Sequence, residues 1–383
     1  MNQYNYPTTI LSGQGALKEF GDRLKGKSRR HPLIVTDKTI KACGVLDKLT
    51  VLLTKQNIPF HVFDEIHPNP VEEDVEKGTA AYHENNCDSI IAIGGGSPMD
   101  AAKAIRIMVV HPKPLAQYDD ATGGDQKITR AMPPLYAIPT TAGTGSEVGR
   151  SAVIILKDTG KKTIFFHPDL IPDIAVLEPE LTAGLPKEIT AATGIDAFVH
   201  CLETYFAPGL HPMADGIAKE GMELILEWLP AAVADGNNLT AREMMLLAAS
   251  MGAVAFQKGL GMIHSLAHPL SSRFDIHHGL ANAVLLPAGI AFLERADLTQ
   301  NQKEKIAKVK SMLFQKGIQK ETLWEGCQAF LKHIGIQTGL SGLGIREEDL
   351  DALSAEAFED PCHQNNMIPV DQKDLLRVYQ EAL

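Results

Sequence analysis

The chain has 383 residues, of which 44% are hydrophobic and 22% are charged, and its formal net charge is −11 at pH 7. This is the composition of a soluble globular protein that is long enough for two domains with a sizeable core. The acidic balance argues against nucleic acid and a bare membrane surface as partners. The first residues lack the pattern of a signal peptide and no run is long enough to span a membrane, which predicts a cytoplasmic protein.

Cysteine usage limits the kinds of metal ligand that the chain can offer. The five cysteines are odd in number, widely spaced and never in a C-x-x-C pair. They fit reduced thiols better than a disulfide or zinc–thiolate framework. Any metal site is therefore expected among histidines and carboxylates.

The first half of the chain alternates short apolar runs with helix-like stretches. Four runs are typical of strands buried on both faces, at residues 32–36, 59–63, 89–93 and 135–139. Helical patterns lie between the first of these runs, at residues 39–55, 71–86 and 98–109. This alternation predicts an N-terminal α/β domain with a parallel, Rossmann-like sheet.

The character of the sequence changes near residues 178–197, where prolines and a glycine interrupt the pattern. Long amphipathic stretches with almost no strand signal follow, at residues 212–233, 240–257 and 301–315. Such periodicity predicts an all-α C-terminal domain. We therefore expect one domain over residues 1–183 and a second over residues 184–383.

The segment IAIGGGSPMDAAKAI, residues 91–105, places three glycines between a predicted strand and a predicted helix. Ser97 is a suitable N-cap, Pro98 a suitable first helical residue, and Asp100 suits the positive end of the helix dipole. A strand, a glycine loop and a helix N-terminus together can bind a phosphate. The alternative is a tight turn with no ligand, since the loop is neither G-x-G-x-x-G nor a Walker sequence.

Two further loops bear on a nucleotide site. Asp37 follows an earlier strand, where a carboxylate can bind a ribose diol and repel a 2′-phosphate, which favours NAD over NADP; it can equally be a helix N-cap. The loop at residues 138–150 offers the hydroxyls of Thr140, Thr141 and Thr144 to a phosphate or a nicotinamide, although a plain surface loop can have this composition.

Histidines concentrate between residues 264 and 278, at His264, His268, His277 and His278. His264 and His268 are four residues apart, as are Asp196 and His200 in a separate stretch, so each pair shares a helix face. Two such helices can combine their ligands around one cation. Nitrogen and oxygen donors suit Fe(II), Zn, Co, Mn or Ni without choosing among them. A histidine that is not a ligand could relay protons.

Several of these segments together resemble the signatures of the iron-containing (group III) alcohol dehydrogenases. The matching segments follow the family's order and spacing, at residues 91–105, 138–148, 191–203, 261–270 and 277–287. The resemblance extends over essentially the whole chain. It implies a Rossmann-like domain followed by a helical domain, the fold shared with dehydroquinate synthase. Lactaldehyde reductase, butanol dehydrogenase and 1,3-propanediol dehydrogenase belong to the same family.

By position in the motifs, the resemblance implies the roles of individual residues. The metal would be Fe²⁺ or another divalent ion such as Zn²⁺. Its ligands would be Asp196, His200, His264 and His278. His268 would be a non-ligand histidine beside the substrate that shuttles protons. Cofactor contacts with NAD are implied for Asp37, Pro70, Gly95, Gly96, Ser97, Asp100, Thr140, Thr141, Thr144 and Lys162.

The expected activity is hydride transfer between NAD and a short-chain alcohol or aldehyde, with a metal polarising the substrate oxygen. Ser271, Ser272 and Arg273 depart from the family pattern, as does the segment at residues 360–370. We hypothesise that Arg273 and His363 favour an aldehyde with a polar or anionic tail, while a surface position for Arg273 is the alternative.

Three other functions are considered. They are a lyase of the dehydroquinate synthase type, a zinc-dependent glycerol dehydrogenase type and a non-catalytic binding protein. A homodimer or larger homo-oligomer is expected.

Overall fold

The computed structural model describes residue 6, residues 9–26 and residues 31–383. The chain forms two compact units. Among the described residues, an α/β unit comprises residues 6–141 and 145–183, and a helical unit comprises residues 142–144 and 184–383. Residues 142–144, from the loop that follows the fourth predicted strand, thus group with the helical unit. That residues 1–183 form a cofactor-binding domain and residues 184–383 a catalytic domain stays a prediction.

The α/β unit contains a six-stranded parallel sheet. In chain order the strands of the unit are β1 (Thr9–Ser12), β2 (Pro32–Val35), β3 (His61–Phe63), β4 (Ser89–Gly94), β5 (Leu135–Pro139), β6 (Ser151–Ile155), β7 (Lys162–Phe166) and β8 (Ile174–Leu177). Strands β6 and β7 do not belong to this sheet and form a separate antiparallel hairpin. The order in the sheet is β1-β8-β5-β4-β2-β3. The helices are α1 (Ala16–Lys25), α2 (Lys38–Ala42), α3 (Val45–Lys55), α4 (Glu72–Glu84) and α5 (Gly96–Met108).

The predicted parallel sheet is confirmed, because all four apolar runs contain strands. Strands β2, β4 and β5 are buried along their whole length, since separate apolar clusters cover the two faces of the sheet. The predicted helix at residues 39–55 is divided in two. Gly44, with φ +76°, ends the first of these helices and starts the second.

Helix α5 carries charged side chains that are buried and bonded to backbone carbonyl groups and a serine hydroxyl. Lys103 is 1% exposed, and its Nζ donates to Ser146 Oγ and to the Ser151 carbonyl oxygen, each at 2.8 Å. Arg106 donates to the carbonyl oxygens of Pro133 (2.6 Å) and Asp169 (2.7 Å). Buried cations are tolerated only with such partners. Helix α5 is therefore fixed to the loops that surround it.

The helical unit contains no strand within residues 184–383, as predicted, and its helices share one apolar core. Its helices are α6 (Lys187–Phe206), α7 (Pro212–Ala234), α8 (Leu239–Ala255), α9 (Met262–Phe274), α10 (His278–Arg295), α11 (Gln300–Gln315), α12 (Leu323–His333), α13 (Leu350–Glu359) and α14 (Gln372–Ala382). By length and composition alone, the helical stretch Leu239–Lys258 could cross a membrane. Most of that stretch is buried in this core, which accounts for its apolar character.

Close backbone packing sets the distance between α6 and α10. A Cβ at Gly279, in the first turn of α10, would clash with the backbone carbonyl of Ala192 in α6. Gly279 is buried and directly follows His278 in the chain. The glycine therefore allows α10 to place His278 against α6.

Gly279→Ala should destabilise the protein by about 1–3 kcal/mol or more, because backbone atoms cannot yield as a flexible side chain can. The measurement is the free energy of unfolding in denaturant. Gly216→Ala is the matched control, because Gly216 is exposed in α7 and a Cβ there meets nothing within 4 Å. That variant should gain roughly 0.5–1 kcal/mol from helix propensity. Equal effects from both substitutions would contradict the packing argument.

Candidate functional site

The predicted glycine loop joins β4 directly to α5. Strand β4 ends at Gly94 and α5 begins at Gly96, with Gly95 as the N-cap residue. The prediction that Ser97 is the N-cap is wrong, because Ser97 lies within the first turn and donates its hydroxyl hydrogen to the carbonyl oxygen of Pro68. Gly94 has φ +148°, and a Cβ there would clash with Pro98. The glycines let the helix start two residues early and leave backbone N–H groups available to an anion.

Other predicted cofactor residues of the α/β unit surround this helix start. Thr140 follows β5 and donates its backbone N–H to the Gly94 carbonyl oxygen (2.9 Å). Its side chain is 3% exposed, and Oγ1 has no hydrogen-bond partner among the described residues. At Gly95 a Cβ would come no closer than 3.6 Å to any protein atom, so protein packing does not explain this glycine. Both observations fit a ligand approaching the loop.

Asp100 fixes neighbouring segments of the protein to α5. Its Oδ1 accepts from Ser146 Oγ (2.7 Å) and its Oδ2 from the Val153 N–H (3.1 Å). Burial raises the pKa of Asp100, against the opposing effect of Lys103 and Lys162. With both oxygens occupied by protein donors, Asp100 positions the loop before β6, and its implied contact with a pyrophosphate stays a prediction.

The remaining predicted cofactor residues lie in loops that follow β2, β3 and β5 and in the β6–β7 hairpin. Pro70 accepts at its carbonyl oxygen from the Ile155 N–H (2.8 Å), and Lys162 lies in β7. Thr141 is half-buried, as is Thr144, which belongs to the helical unit. Asp37 is the N-cap of α2, and its Oδ1 accepts from both Thr39 and Ile40 N–H groups. The capping alternative for Asp37 is thus observed, and it uses one of the two carboxylate oxygens.

In the helical unit, the four predicted metal ligands come together. Helix α6 carries Asp196 and His200, α9 carries His264, and α10 begins at His278. Ligand atoms of Asp196, His200 and His264 all lie within 4.8 Å of one another. His278 Nε2 is 3.5 Å from Asp196 Oδ1. The fold therefore places three imidazoles around one buried carboxylate.

The electrostatics of this cluster suit a cation. Burial alone would raise the pKa of Asp196, but the surrounding imidazoles, His200 first among them, lower it to about 2. Burial lowers the pKa of His200 to about 4 and that of His278 well below its usual value. These imidazoles are therefore neutral at pH 7, as ligands must be. His200 Nδ1 is also buried without a hydrogen-bond partner among the described residues.

A second carboxylate, Glu203, orients His264 and was not predicted. Its Oε2 lies 2.6 Å from His264 Nδ1, and its Oε1 accepts from the Ile263 N–H (2.6 Å) at the start of α9. The hydrogen bond to Glu203 raises the pKa of His264, although burial opposes it. A proton held on Nδ1 leaves Nε2 as the ligand atom, the arrangement found around many metal-binding histidines. Glu203 falls seven residues after Asp196 on α6, a spacing that puts both on one helix face.

His268 has a comparable partner in Asp360. Its Nδ1 lies 2.7 Å from Asp360 Oδ2, while Asp360 Oδ1 accepts from Ser265 Oγ (2.7 Å) and the Cys362 N–H (2.9 Å). Burial alone would raise the pKa of Asp360, but His268 and the other donors hold it far below its usual range. His268 stacks on His278, with ring centroids 5.2 Å apart, and its side chain is 34% exposed. It is thus fixed beside the ligand cluster without being enclosed.

The residues proposed to polarise the substrate site are engaged elsewhere. Arg273 is exposed and forms an ion pair with Glu356 at 3.1 Å, which is the surface alternative. His363 is buried, stacks on Phe358 and bonds through Nε2 to the Phe358 carbonyl oxygen (3.0 Å). Neither side chain is free to bind an anionic substrate tail.

The fold and this donor set define a class of protein in which a parallel-sheet unit with a phosphate-type loop is joined to a helical metal-binding unit. Residues 7–179 match the family model for iron-containing alcohol dehydrogenase, and residues 190–383 match the C-terminal model of the same family. The chain belongs to the iron-containing alcohol dehydrogenase family. It is an oxidoreductase of the alcohol dehydrogenase type.

The curated relatives are similar over their full length. A 4-hydroxybutyrate dehydrogenase of Cupriavidus necator is 40% identical over 99% of both chains. An NAD-dependent methanol dehydrogenase of Bacillus methanolicus is 33% identical over 100% of both. A solved 1,3-propanediol oxidoreductase superimposes with a TM-score of 0.92 at 32% identity, with full coverage of both chains. A sulfoacetaldehyde reductase of Bifidobacterium kashiwanohense in complex with NAD⁺ has a TM-score of 0.86 at 28% identity, with 100% of this chain and 98% of that chain covered.

Glu203→Gln should weaken metal binding about 10- to 100-fold, the effect typical of removing a carboxylate behind a ligand histidine. The amide N–H₂ would face His264 Nδ1 and move the imidazole proton to Nε2, the atom needed for the metal. Competition with a chelator measures the affinity for Zn(II) or Fe(II). Glu227→Gln, at a surface carboxylate paired with Lys316, is the control and should bind metal as wild type does. Unchanged affinity in Glu203→Gln would refute this role.

Proposed function

We propose that the protein is an NAD-dependent and Fe²⁺-dependent alcohol dehydrogenase that reduces short-chain aldehydes bearing an anionic tail. The observation that carries the metal part is the set Asp196, His200, His264 and His278, of which the first three are buried. Two of its imidazoles are kept neutral and a third is oriented by Glu203. Nitrogen donors with one carboxylate and no thiolate fit Fe²⁺, and Zn²⁺ is an alternative occupant.

NAD is supported by the loops of the α/β unit. The start of α5 offers N–H groups to a pyrophosphate, Thr140 Oγ1 has no hydrogen-bond partner in the described part of the chain, and Asp37 keeps Oδ2 outside its helix cap. A carboxylate at that strand end favours a ribose diol over a 2′-phosphate. Two similar proteins are described with NAD, the methanol dehydrogenase by its name and the sulfoacetaldehyde reductase by its bound NAD⁺.

The chain's own residues account for proton movement. When bound, the metal supplies Lewis-acid polarisation of the substrate oxygen, and the nicotinamide accepts or donates the hydride. Asp360 holds a proton on His268 Nδ1, so Nε2 is the atom that can take or give the substrate's proton. Because the side chain of His268 is 34% exposed, the proton that Nε2 takes or gives can exchange with solvent. Two imidazoles of the metal set, His200 and His264, are enclosed and have no such access.

The substrate class is proposed from the relatives. The 4-hydroxybutyrate dehydrogenase and the sulfoacetaldehyde reductase are both named for substrates that combine an alcohol or aldehyde with an anionic group. We infer that this chain interconverts an ω-hydroxy acid and the corresponding ω-oxo acid. A homo-oligomer in the cytoplasm is proposed with it.

The first test follows NADH oxidation with apo protein reloaded anaerobically with Fe(II) or Zn(II). We expect turnover of 4-oxobutanoate with NADH and Fe(II), and little with NADPH or with metal-free protein. Zn(II) and metal-free samples measured side by side show whether activity follows the iron. Absence of turnover on every short aldehyde, with NADH still bound, would refute the proposed activity.

Asp37→Asn should raise the NADPH-to-NADH ratio of kcat/KM at least about tenfold, because it removes the charge that repels a 2′-phosphate. Asparagine is as good an N-cap as aspartate, so α2 should be kept. An unchanged melting temperature confirms that the cap survives. If the ratio does not change while the fold is intact, Asp37 acts only as a cap.

A further inference from the structure

A second group of possible metal ligands lies beside the predicted ligand cluster, within the helical unit. It consists of a ring nitrogen of His268, a carboxylate oxygen of Asp360 and Sγ of Cys362, which all lie within 4.8 Å of one another. Among the described residues, Cys362 is the one cysteine that belongs to such a group. The five cysteines are widely spaced in the chain, and their pattern therefore does not predict this group.

Hydrogen bonds hold the three residues together before any ion binds. Asp360 follows α13, and its Oδ1 accepts from the Cys362 N–H (2.9 Å) and from Ser265 Oγ (2.7 Å) in α9. The same Ser265 oxygen accepts from the His363 N–H (2.8 Å). Ser265 is fully buried, so it attaches this segment to the helix that carries His268. Ligands that are fixed in this way have little freedom left to lose on binding.

The distances within the group suit a tetrahedral ion. His268 Nδ1 faces Asp360 Oδ2 at 2.7 Å. Zinc bonds of about 2.0–2.3 Å keep neighbouring ligand atoms of a tetrahedron about 3.3–3.8 Å apart. The nitrogen and the oxygen would therefore separate, and Sγ would approach them, by about 1 Å or less. A water molecule would complete the four positions, as in other zinc sites with three protein ligands.

The donors of this group differ in kind from those of the predicted ligand cluster. A thiolate favours a borderline ion such as Zn²⁺, whereas nitrogen and oxygen donors alone suit Fe²⁺. Burial, with the charge of Asp360, raises the pKa of the Cys362 thiol, so the thiol stays protonated until a cation displaces its proton. A thiolate and a carboxylate together neutralise a divalent ion, which limits its repulsion of a cation at the neighbouring cluster.

An ion can reach this group, and there it would engage the predicted proton carrier. His268, Asp360 and Cys362 are all half-buried, whereas His264 of the ligand cluster is enclosed. An ion bound to His268 Nδ1 leaves the ring proton on Nε2, the atom that otherwise takes or gives the substrate's proton. Occupation of this group therefore removes His268 from proton transfer.

We propose that His268, Asp360 and Cys362 form a second metal site, which binds Zn²⁺ reversibly and thereby inhibits the enzyme. The binding part stands on the three side chains themselves. The inhibitory part rests on the proposed function, in which His268 carries the substrate's proton. The protein then loses activity in excess zinc even while the ligand cluster keeps its own metal.

Cobalt(II) tests the site directly, because a thiolate ligand gives a near-ultraviolet sulfur-to-cobalt charge-transfer band and the predicted ligand cluster contains no cysteine. Fe(II)-loaded protein titrated anaerobically with Co(II) should develop this band in the wild type, but not in Cys362→Ser or Cys362→Ala. Cys43→Ser is the matched control and should keep the band, since Cys43 is exposed and belongs to no such group among the described residues. A wild type without the band, or a Cys362 variant that retains it, would overturn the proposal.

Zinc inhibition is measured separately, by NADH oxidation with an aldehyde that the Fe(II)-loaded protein turns over. Half inhibition of Cys362→Ser should need at least about tenfold more zinc than wild type, since losing a ligand costs no less than losing a residue behind one. Equal inhibition of both overturns the inhibitory role, and iron released into solution would then identify metal exchange at the ligand cluster as the cause. If no aldehyde is turned over, the proposed function fails on its own, and the cobalt band still decides the site.

Discussion

The contact between Glu203 and the start of α9 holds the predicted metal ligands of α6 and α9 together. One carboxylate in α6 accepts from the Ile263 N–H through one oxygen and orients His264 through the other. Because Asp196 and His200 lie on the same helix, this single side chain fixes the ligands of α9 relative to those of α6. A carboxylate at a helix N-terminus is also favoured by the helix dipole. Gly261 is part of this arrangement, since a Cβ there would come within 2.8 Å of Glu203 Oε1.

The α/β unit relies on a comparable principle, in which buried charges of one helix organise the loops around it. Lys103 and Asp100 both bond to Ser146, one from each side of its hydroxyl. Burial lowers the pKa of Lys103 to about 8, so the amine depends on this network for its charge. The loop before β6 thereby has a defined position next to the glycine loop. Local turn preferences alone would leave such a glycine-rich and hydroxyl-rich segment free to vary.

Much of the fold could be predicted from the sequence because its signals are local. Apolar runs of strand length and long amphipathic helices follow from periodicity. The spacing of four residues puts Asp196 with His200, and His264 with His268, on one helix face each, while the choice of ligands among them came from the family resemblance. The helix start at Gly96 could not be predicted, because Ser97 is a good cap by type but its hydroxyl bonds to Pro68 across the fold. Asp360 was missed for the same reason, since 92 residues separate it from His268.

His264 and His268 show how one helix can give two like residues different chemistry. They lie four residues apart on α9, and each has Nδ1 close to a carboxylate, at 2.6 Å from Glu203 and 2.7 Å from Asp360. Both therefore present Nε2 in the same tautomer. Their side chains differ in exposure, 1% for His264 and 34% for His268. An enclosed imidazole among other ligands can hold a cation but cannot exchange protons with water, whereas the exposed one can. Within α9, access to solvent thus distinguishes the predicted ligand His264 from the predicted proton carrier His268, whereas on α10 the predicted ligand His278 is itself 30% exposed.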